Sequence, residues 1–354
     1  MSEQQVSASM PTKKPEADES ARVEKAAGER RKSGFMSGAA GRNIGLVVAL
    51  LLLCAVGFAT AGERFASVSN LMTILSLGSV TGVLAIGMTF VITTGGIDLS
   101  VGSVLGLSSV WATTLATQSY GWVVMVICAL AVGLGAGLLN GLIIAYGRVV
   151  AFIATLAMLV AARGLAELIA QKRTQIVQVD AFNDIFRGNL LGVPKIVWIF
   201  AVVAVLGWFL FNRTTFGRRT VAVGGNAEAA RLAGIKVKRH LLYVYALSGL
   251  TAGIAGVMIL ARTSAGSSTN GLLLELDTIA AVVVGGTLLA GGRGTIVGTV
   301  LGVLIFTTLT NVFIINNIDS SVQQIAKGAI IVGAVPVSLT PRRAHETSGK
   351  DGGL

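Results

Sequence analysis

Two histidines and two cysteines among 354 residues leave almost nothing from which to assemble a metal centre or a nucleophile–base pair. His240 and His345 lie outside the apolar runs. Cys54 and Cys128 lie within them, where they read as small apolar side chains and not as a disulfide. No Gly-x-x-x-x-Gly-Lys-Ser/Thr loop is present, so ATP hydrolysis by that route is excluded. His-Glu-x-x-His and Gly-x-Ser-x-Gly are missing too, which removes the zinc-protease and serine-hydrolase readings. Charged residues make up 13% of the chain, against about 25% in a soluble domain. Carboxylates and histidines inside the apolar runs are few, a thin basis for proton or sodium coupling. Aromatics, at 6%, offer few platforms for stacking a ligand.

What remains is 53% hydrophobic with a mean hydropathy of +0.77. The apolar residues form blocks near 44–61, 69–93, 100–117, 121–145, 149–171, 195–211, 241–262, 276–290, 295–314 and 321–337. Most match the roughly 20 residues a helix needs to cross a bilayer, and none alternates as a barrel strand would. The expected fold is therefore an all-α polytopic membrane protein of about ten transmembrane helices. The net charge of +11 sits in tails and loops, as membrane topology requires, and indicates no nucleic-acid surface. Residues 1–42 read as a disordered cytoplasmic tail, 43–337 as the membrane domain and 338–354 as a second cytoplasmic tail. The first tail is too acidic, and too long before the first apolar run, for a secretory signal. Ten spans place both termini and the loop 212–240 in the cytoplasm. That loop carries Arg213, Arg218, Arg219, Arg231, Lys236, Lys238 and Arg239. The loop 172–195, also basic, would be external and counts mildly against this orientation.

Asp98 is the only charge between Arg64 and Arg148 and lies in Gly95-Gly96-Ile97-Asp98-Leu99-Ser100-Val101-Gly102-Ser103. Such a carboxylate is costly in lipid unless donors satisfy it. Two readings stay open: a cap on the helix that follows, or a glycine-supported break that lines or gates a path. Gly95–Gly106 also resembles Gly291–Gly302 without a gap, the sign of an internal repeat. Glu228-Ala229-Ala230-Arg231-Leu232-Ala233-Gly234 predicts a short helix capped by Asn226 and stopped by Gly234. It is either a docking element or an ordinary solvated turn. The ladders Gly133/Gly137/Gly141 and Gly249/Gly253/Gly256 predict close helix packing. Arg163 and Glu167, four apart, are expected to pair on one helix face.

Gly-Gly-Ile-Asp-Leu-Ser-Val-Gly-Ser, Glu-Ala-Ala-Arg-Leu-Ala-Gly-Ile and the run Ala280–Thr287 through Gly291–Gly298 together resemble the permease subunit of ribose-type ABC sugar importers. The resemblance covers roughly 44–335 and includes Asn140-Gly141, Phe152-Ile153-Ala154-Thr155-Leu156 and Arg163-Gly164. It departs where the family's proline precedes the Phe: Val149-Val150-Ala151 stand there, and Ala157 replaces a glycine. The resemblance implies a bacterial inner-membrane, type II-like importer subunit working with a second permease copy, a cytoplasmic ABC ATPase and an extracytoplasmic sugar-binding protein. ATP and magnesium would be bound by the ATPase, and this chain would hold no cofactor. Glu228, Ala229, Ala230, Arg231 and Gly234 would form the coupling helix; Asp98, Ser100, Asn140, Phe152 and Thr155 are candidates for path or gate. The implied substrate is a monosaccharide. A nucleoside or furanose signal and, from another class, a self-contained carrier are the alternatives.

Overall fold

A computed structural model describes residues 39–339. The expectations for 1–38 and 340–354 lie outside the described residues. The chain divides into Met1–Gly45, of which only the opening of the first helix is described, and Leu46–Leu354.

Helices fall on all ten apolar blocks: α1 (Ala39–Ala61), α2 (Val68–Thr93), α3 (Val101–Ala112), α4 (Trp122–Ala145), α5 (Ala151–Ala170) and α6 (Lys195–Arg213) come first. The basic loop folds into α7 (Thr215–Gly225) and α8 (Ala227–Leu232). Then come α9 (Val237–Thr263), α10 (Leu274–Val284), α11 (Ile296–Ile315) and α12 (Ser320–Leu339). Among the described residues seven helices are long and apolar enough to cross a bilayer. The block expected at 100–117 instead ends its helix at Ala112, and that at 276–290 ends at Val284. Twelve residues rise about 18 Å, short of a hydrocarbon core of about 30 Å. Each short helix abuts one of the glycine-rich elbows, which take up the missing length as non-helical backbone.

α2 and α9 are the centre: 78% and 83% of their apolar windows are buried, against 11–22% for α1, α4, α5 and α6. α9 packs along α4, α2 and α3, and α11 packs along α2 and α10. The α4–α9 seam is built on the expected ladder. A Cβ on Gly133 or Gly137 would strike the backbone of Gly249, and one on Gly253 the backbone of Ala129 and Leu130. Without a hydrophobic drive between helices in lipid, this backbone approach is what holds the pair. α5 begins at Ala151 without the proline; Arg148, with φ 59°, makes the turn instead.

Arg163 does not pair with Glu167. Its Nη1 donates to the carbonyls of Ser268 and Asn270, the latter at 2.9 Å. Residues 267–273 carry no helix; turn bonds serve the carbonyls of Ser267, Thr269, Gly271 and Leu273, and the Arg163 guanidinium serves those of Ser268 and Asn270. Asn270 in turn donates to Ser109 Oγ on α3 at 3.1 Å. Strand β1 (Gln175–Ile176) pairs antiparallel with β4 (Ala265–Gly266), and β2 (Asn189–Leu190) with β3 (Val193–Pro194); these two small ribbons are the described strands.

Candidate functional site: a glycine elbow, its carboxylate and a capped docking helix

The chain leaves α2 at Thr93, turns through Gly95 (φ 83°) and enters α3 at Val101. Asp98 lies in this turn and is only 1% exposed. Among the described residues no cation pairs with it; three neutral donors satisfy it. Ser100 donates to Oδ1 from its backbone N–H (3.0 Å) and its hydroxyl (2.6 Å), and Ser248 on α9 donates its hydroxyl to Oδ2 (2.8 Å). Hydrogen bonds to a charged group contribute about 1.5–3 kcal/mol each, so the three offset part of a desolvation cost of several kcal/mol. Asn140 on α4 extends the cluster by donating to Ser100 Oγ at 3.0 Å. Thr155 on α5 donates to the Ile97 carbonyl at 3.2 Å. Four of the five expected residues thus converge on one elbow from three elements: Asp98 and Ser100 from the elbow itself, Asn140 from α4 and Thr155 from α5. Phe152 does not join them: it is half exposed on the outer face of α5. Asp98 thus accepts the Ser100 N–H just before α3 and, through Ser248, ties that start to α9.

α8 is the expected short helix. Asn226 Oδ1 accepts from Ala229 N at 2.9 Å. At the other end Gly234 (φ 84°) donates to Arg231 O and Ile235 to Ala230 O, the left-handed stop that only glycine adopts freely. Ala230 faces inward, while Glu228 and Arg231 pair at 2.6 Å on the exposed side. The Arg231 guanidinium, by hydrogen bond and then by charge, holds the Glu228 carboxyl below the usual carboxylate range, so it is ionised at neutral pH. Leu232 is 74% exposed beside them. An ion pair in water adds little stability, so the Glu228–Arg231 pair does little to hold α8 together.

The elbow meets the end of α7, just before α8. Gly292, in the repeated elbow, donates its N–H to the Thr93 carbonyl at 2.9 Å. A Cβ on Gly224, two residues before the Asn226 cap, would land on that same carbonyl and within 2.6 Å of Gly292 N. One on Gly291 would meet Gly224 O at 2.8 Å and Gly95 N at 2.9 Å. Two glycine turns, at Gly95 and at Gly291–Gly292, and Gly224 near the end of α7 therefore touch backbone to backbone.

The family described as "branched-chain amino acid transport system / permease component" matches residues 70–335. The chain belongs to this family of transport permeases. The permease is 42% identical over 295 residues to the ribose import permease protein of Escherichia coli K12, covering 82% of this chain and 92% of that one. It is 36% identical over 291 residues to the L-arabinose ABC transporter permease protein of Azospirillum brasilense (82% and 86% covered). To the galactose/methyl galactoside import permease protein of E. coli K12 it is 37% identical over 312 residues (82% and 92%). No solved structure matches it.

Sequence reasoning did not find Ser248 or the meeting of the two elbows with Gly224 in this permease. Ser248 is a hydroxyl beside Gly249 in an otherwise apolar span, a signal that was visible but shared with several other serines and threonines. Gly224-Gly225 was visible as a doublet, but the packing of α7 against α2 was needed to give it a neighbour.

Proposed function

We propose that this permease is the membrane-spanning subunit of an ATP-driven importer that moves a monosaccharide, a pentose or hexose, into the cell. The observation that carries the reading is the high identity, over most of both chains, to permeases whose names specify ribose, L-arabinose and galactose. In this reading ATP and magnesium are held by a separate cytoplasmic ATPase, an extracytoplasmic binding protein supplies most of the affinity, and a second permease copy completes the channel. The loop 212–240 and both termini face the cytoplasm. Glu228, Ala229, Ala230, Arg231 and Gly234 belong to the coupling helix that the ATPase moves, with Glu228 and Arg231 on its outward side and Ala230 on its inward side. The Gly224 contact carries that movement to both elbows at once. Asp98, Ser100, Asn140 and Thr155 then act on the gate: they hold α3 to α4, α5 and α9 in the closed arrangement, and the sugar does not touch the buried carboxylate. Phe152, on the outer face of α5, serves the boundary with lipid or the second copy.

Uptake of labelled ribose, arabinose, galactose, a nucleoside and leucine in cells deleted for the gene, then complemented, tests both substrate class and coupling. A monosaccharide is expected to be the transported solute. Glu228→Arg is expected to remove at least nine-tenths of that uptake with an unchanged amount of protein in the membrane, because two adjacent cations replace an outward-facing pair. Wild-type uptake by Glu228→Arg would remove α8 as the coupling element, and leucine or nucleoside uptake alone would remove the sugar assignment.

A further inference from the structure

Between α7 and the start of α9 lies a cavity of about 470 Å3 that the transport reading does not use. Arg219 from α7, Lys236 from the α8–α9 connection and Arg239 from α9 converge on it, and no carboxylate lines it. The described ion pairs are Glu228–Arg231 and Lys327–Asp277, so none of the three cations has a carboxylate within 4 Å among the described residues. Arg231 of the same loop pairs with Glu228, and Arg213, Lys238 and Arg239 lie 5.5, 5.8 and 5.7 Å from the ring centroids of Trp208, Tyr146 and Tyr243, which leaves Arg219 and Lys236 with neither kind of partner among the described residues. A rule that merely places positive charge on one side of a membrane does not require three cations to share one concavity.

The cavity's polar walls suit an oxyanion. Thr215 offers a hydroxyl at the mouth, and buried His240 forms the floor with Nε2 3.0 Å from Thr220 Oγ1. Tyr243, 45% exposed, stands at the rim with its hydroxyl accepting from Arg239 Nε at 2.8 Å, which aims the guanidinium. Tyr146 and Trp208 at the ends of α4 and α6 carry exposed rings, and Val205, Leu206 and Phe209 on α6 present an exposed apolar face leading up to them. Aromatic rings at the ends of apolar helices mark the level of lipid headgroups. A basic pocket between helices at that level takes a phosphate ester.

We propose that Arg219, Lys236 and Arg239 form a binding site for a phosphate anion, supplied by the headgroup of an anionic phospholipid. Phosphate oxygens would take the place of the missing carboxylates, with Arg219 and Arg239 donating from their forks and Lys236 acting as a point charge.

The test is native mass spectrometry on the full-length permease, delipidated in detergent and titrated with phosphatidylglycerol, phosphatidylcholine or glycerol 1-phosphate. Wild type is expected to bind phosphatidylglycerol at least about tenfold more tightly than phosphatidylcholine. The triple variant Arg219→Gln, Lys236→Gln, Arg239→Gln is expected to lose on the order of a hundredfold, at about one headgroup contact per cation. A charge-matched triple, Arg213→Gln, Arg218→Gln, Lys238→Gln, is expected to lose less than about fivefold, and equal melting temperatures of the two triples show that folding is not the cause. Competition by glycerol 1-phosphate would assign the site to soluble phosphate esters as well; no competition would assign it to lipid alone. Equal losses in the two triples would overturn the proposal. So would wild-type lipid binding by the first triple, and if that variant instead failed to bind the ATPase, the cavity would be a protein contact.

Discussion

Gly224→Ala is expected to lose ATP-driven uptake by about a hundredfold while most of the protein remains folded in the membrane. The added Cβ would meet the Thr93 carbonyl and Gly292 N, both main-chain atoms that no rotamer change can move aside. Relief requires α7 to withdraw from the elbows by about 1 Å, a displacement large enough to cost two decades at a geometrically demanding step. Overpacking of this kind costs about 1–3 kcal/mol of stability, which lowers yield without abolishing it. Gly225→Ala is the matched control. It adds the same methyl group one residue on, where nothing lies within 4 Å, so uptake is expected to stay at the wild-type level. Measuring uptake against ATPase turnover separates coupling from folding: Gly224→Ala should hydrolyse ATP and move little sugar. Equal, near-normal coupling in both variants would show that the three-way contact transmits nothing.

Asp98→Asn and Asp98→Leu are expected to fail in different ways. Asparagine keeps the shape, and its oxygen can still accept from both Ser100 donors while the amide faces Ser248. Its melting temperature should therefore stay within a few degrees of wild type, and uptake should fall at least about tenfold because the charge-assisted bonds that set the gate are halved in strength. Leucine leaves the Ser100 and Ser248 hydroxyls buried beside a side chain that cannot accept, with a loss of about 3–5 kcal/mol and little protein recovered. Asn140 Oδ1 and the Tyr245 hydroxyl are buried without a protein partner among the described residues and, in the proposed gating role, are free to take up new bonds. Normal uptake per folded molecule in Asp98→Asn would reduce the carboxylate to a helix cap.

Local chemistry was legible in the sequence; distance along the chain was not. α8 could be read from six residues because its cap, its stop and its ion pair all lie within nine positions of one another. The ten apolar blocks became helices because each spans enough hydrophobic length to exclude other structures. The shortness of α3 and α10 was not legible, since hydropathy runs on through Thr113–Thr117 and Gly285–Ala290 while the helix does not. Arg163 shows the same limit: its neighbour at four residues was known, but the carbonyls of Ser268 and Asn270, over a hundred positions away, won its donors. The Asp98 cluster was half legible. Ser100 stood beside the isolated charge, and Asn140 and Thr155 lay in stretches that the family resemblance picked out, whereas Ser248 was one hydroxyl among many until α9 was seen beside the elbow.

Uptake into liposomes tests the account most directly. The full-length permease is reconstituted alone, then with the ATPase and the binding protein found with it, and labelled monosaccharide is followed with and without ATP. The account predicts no accumulation by the permease alone and ATP-dependent accumulation when all three are present. Accumulation by the permease alone would contradict it and make this chain a self-contained carrier.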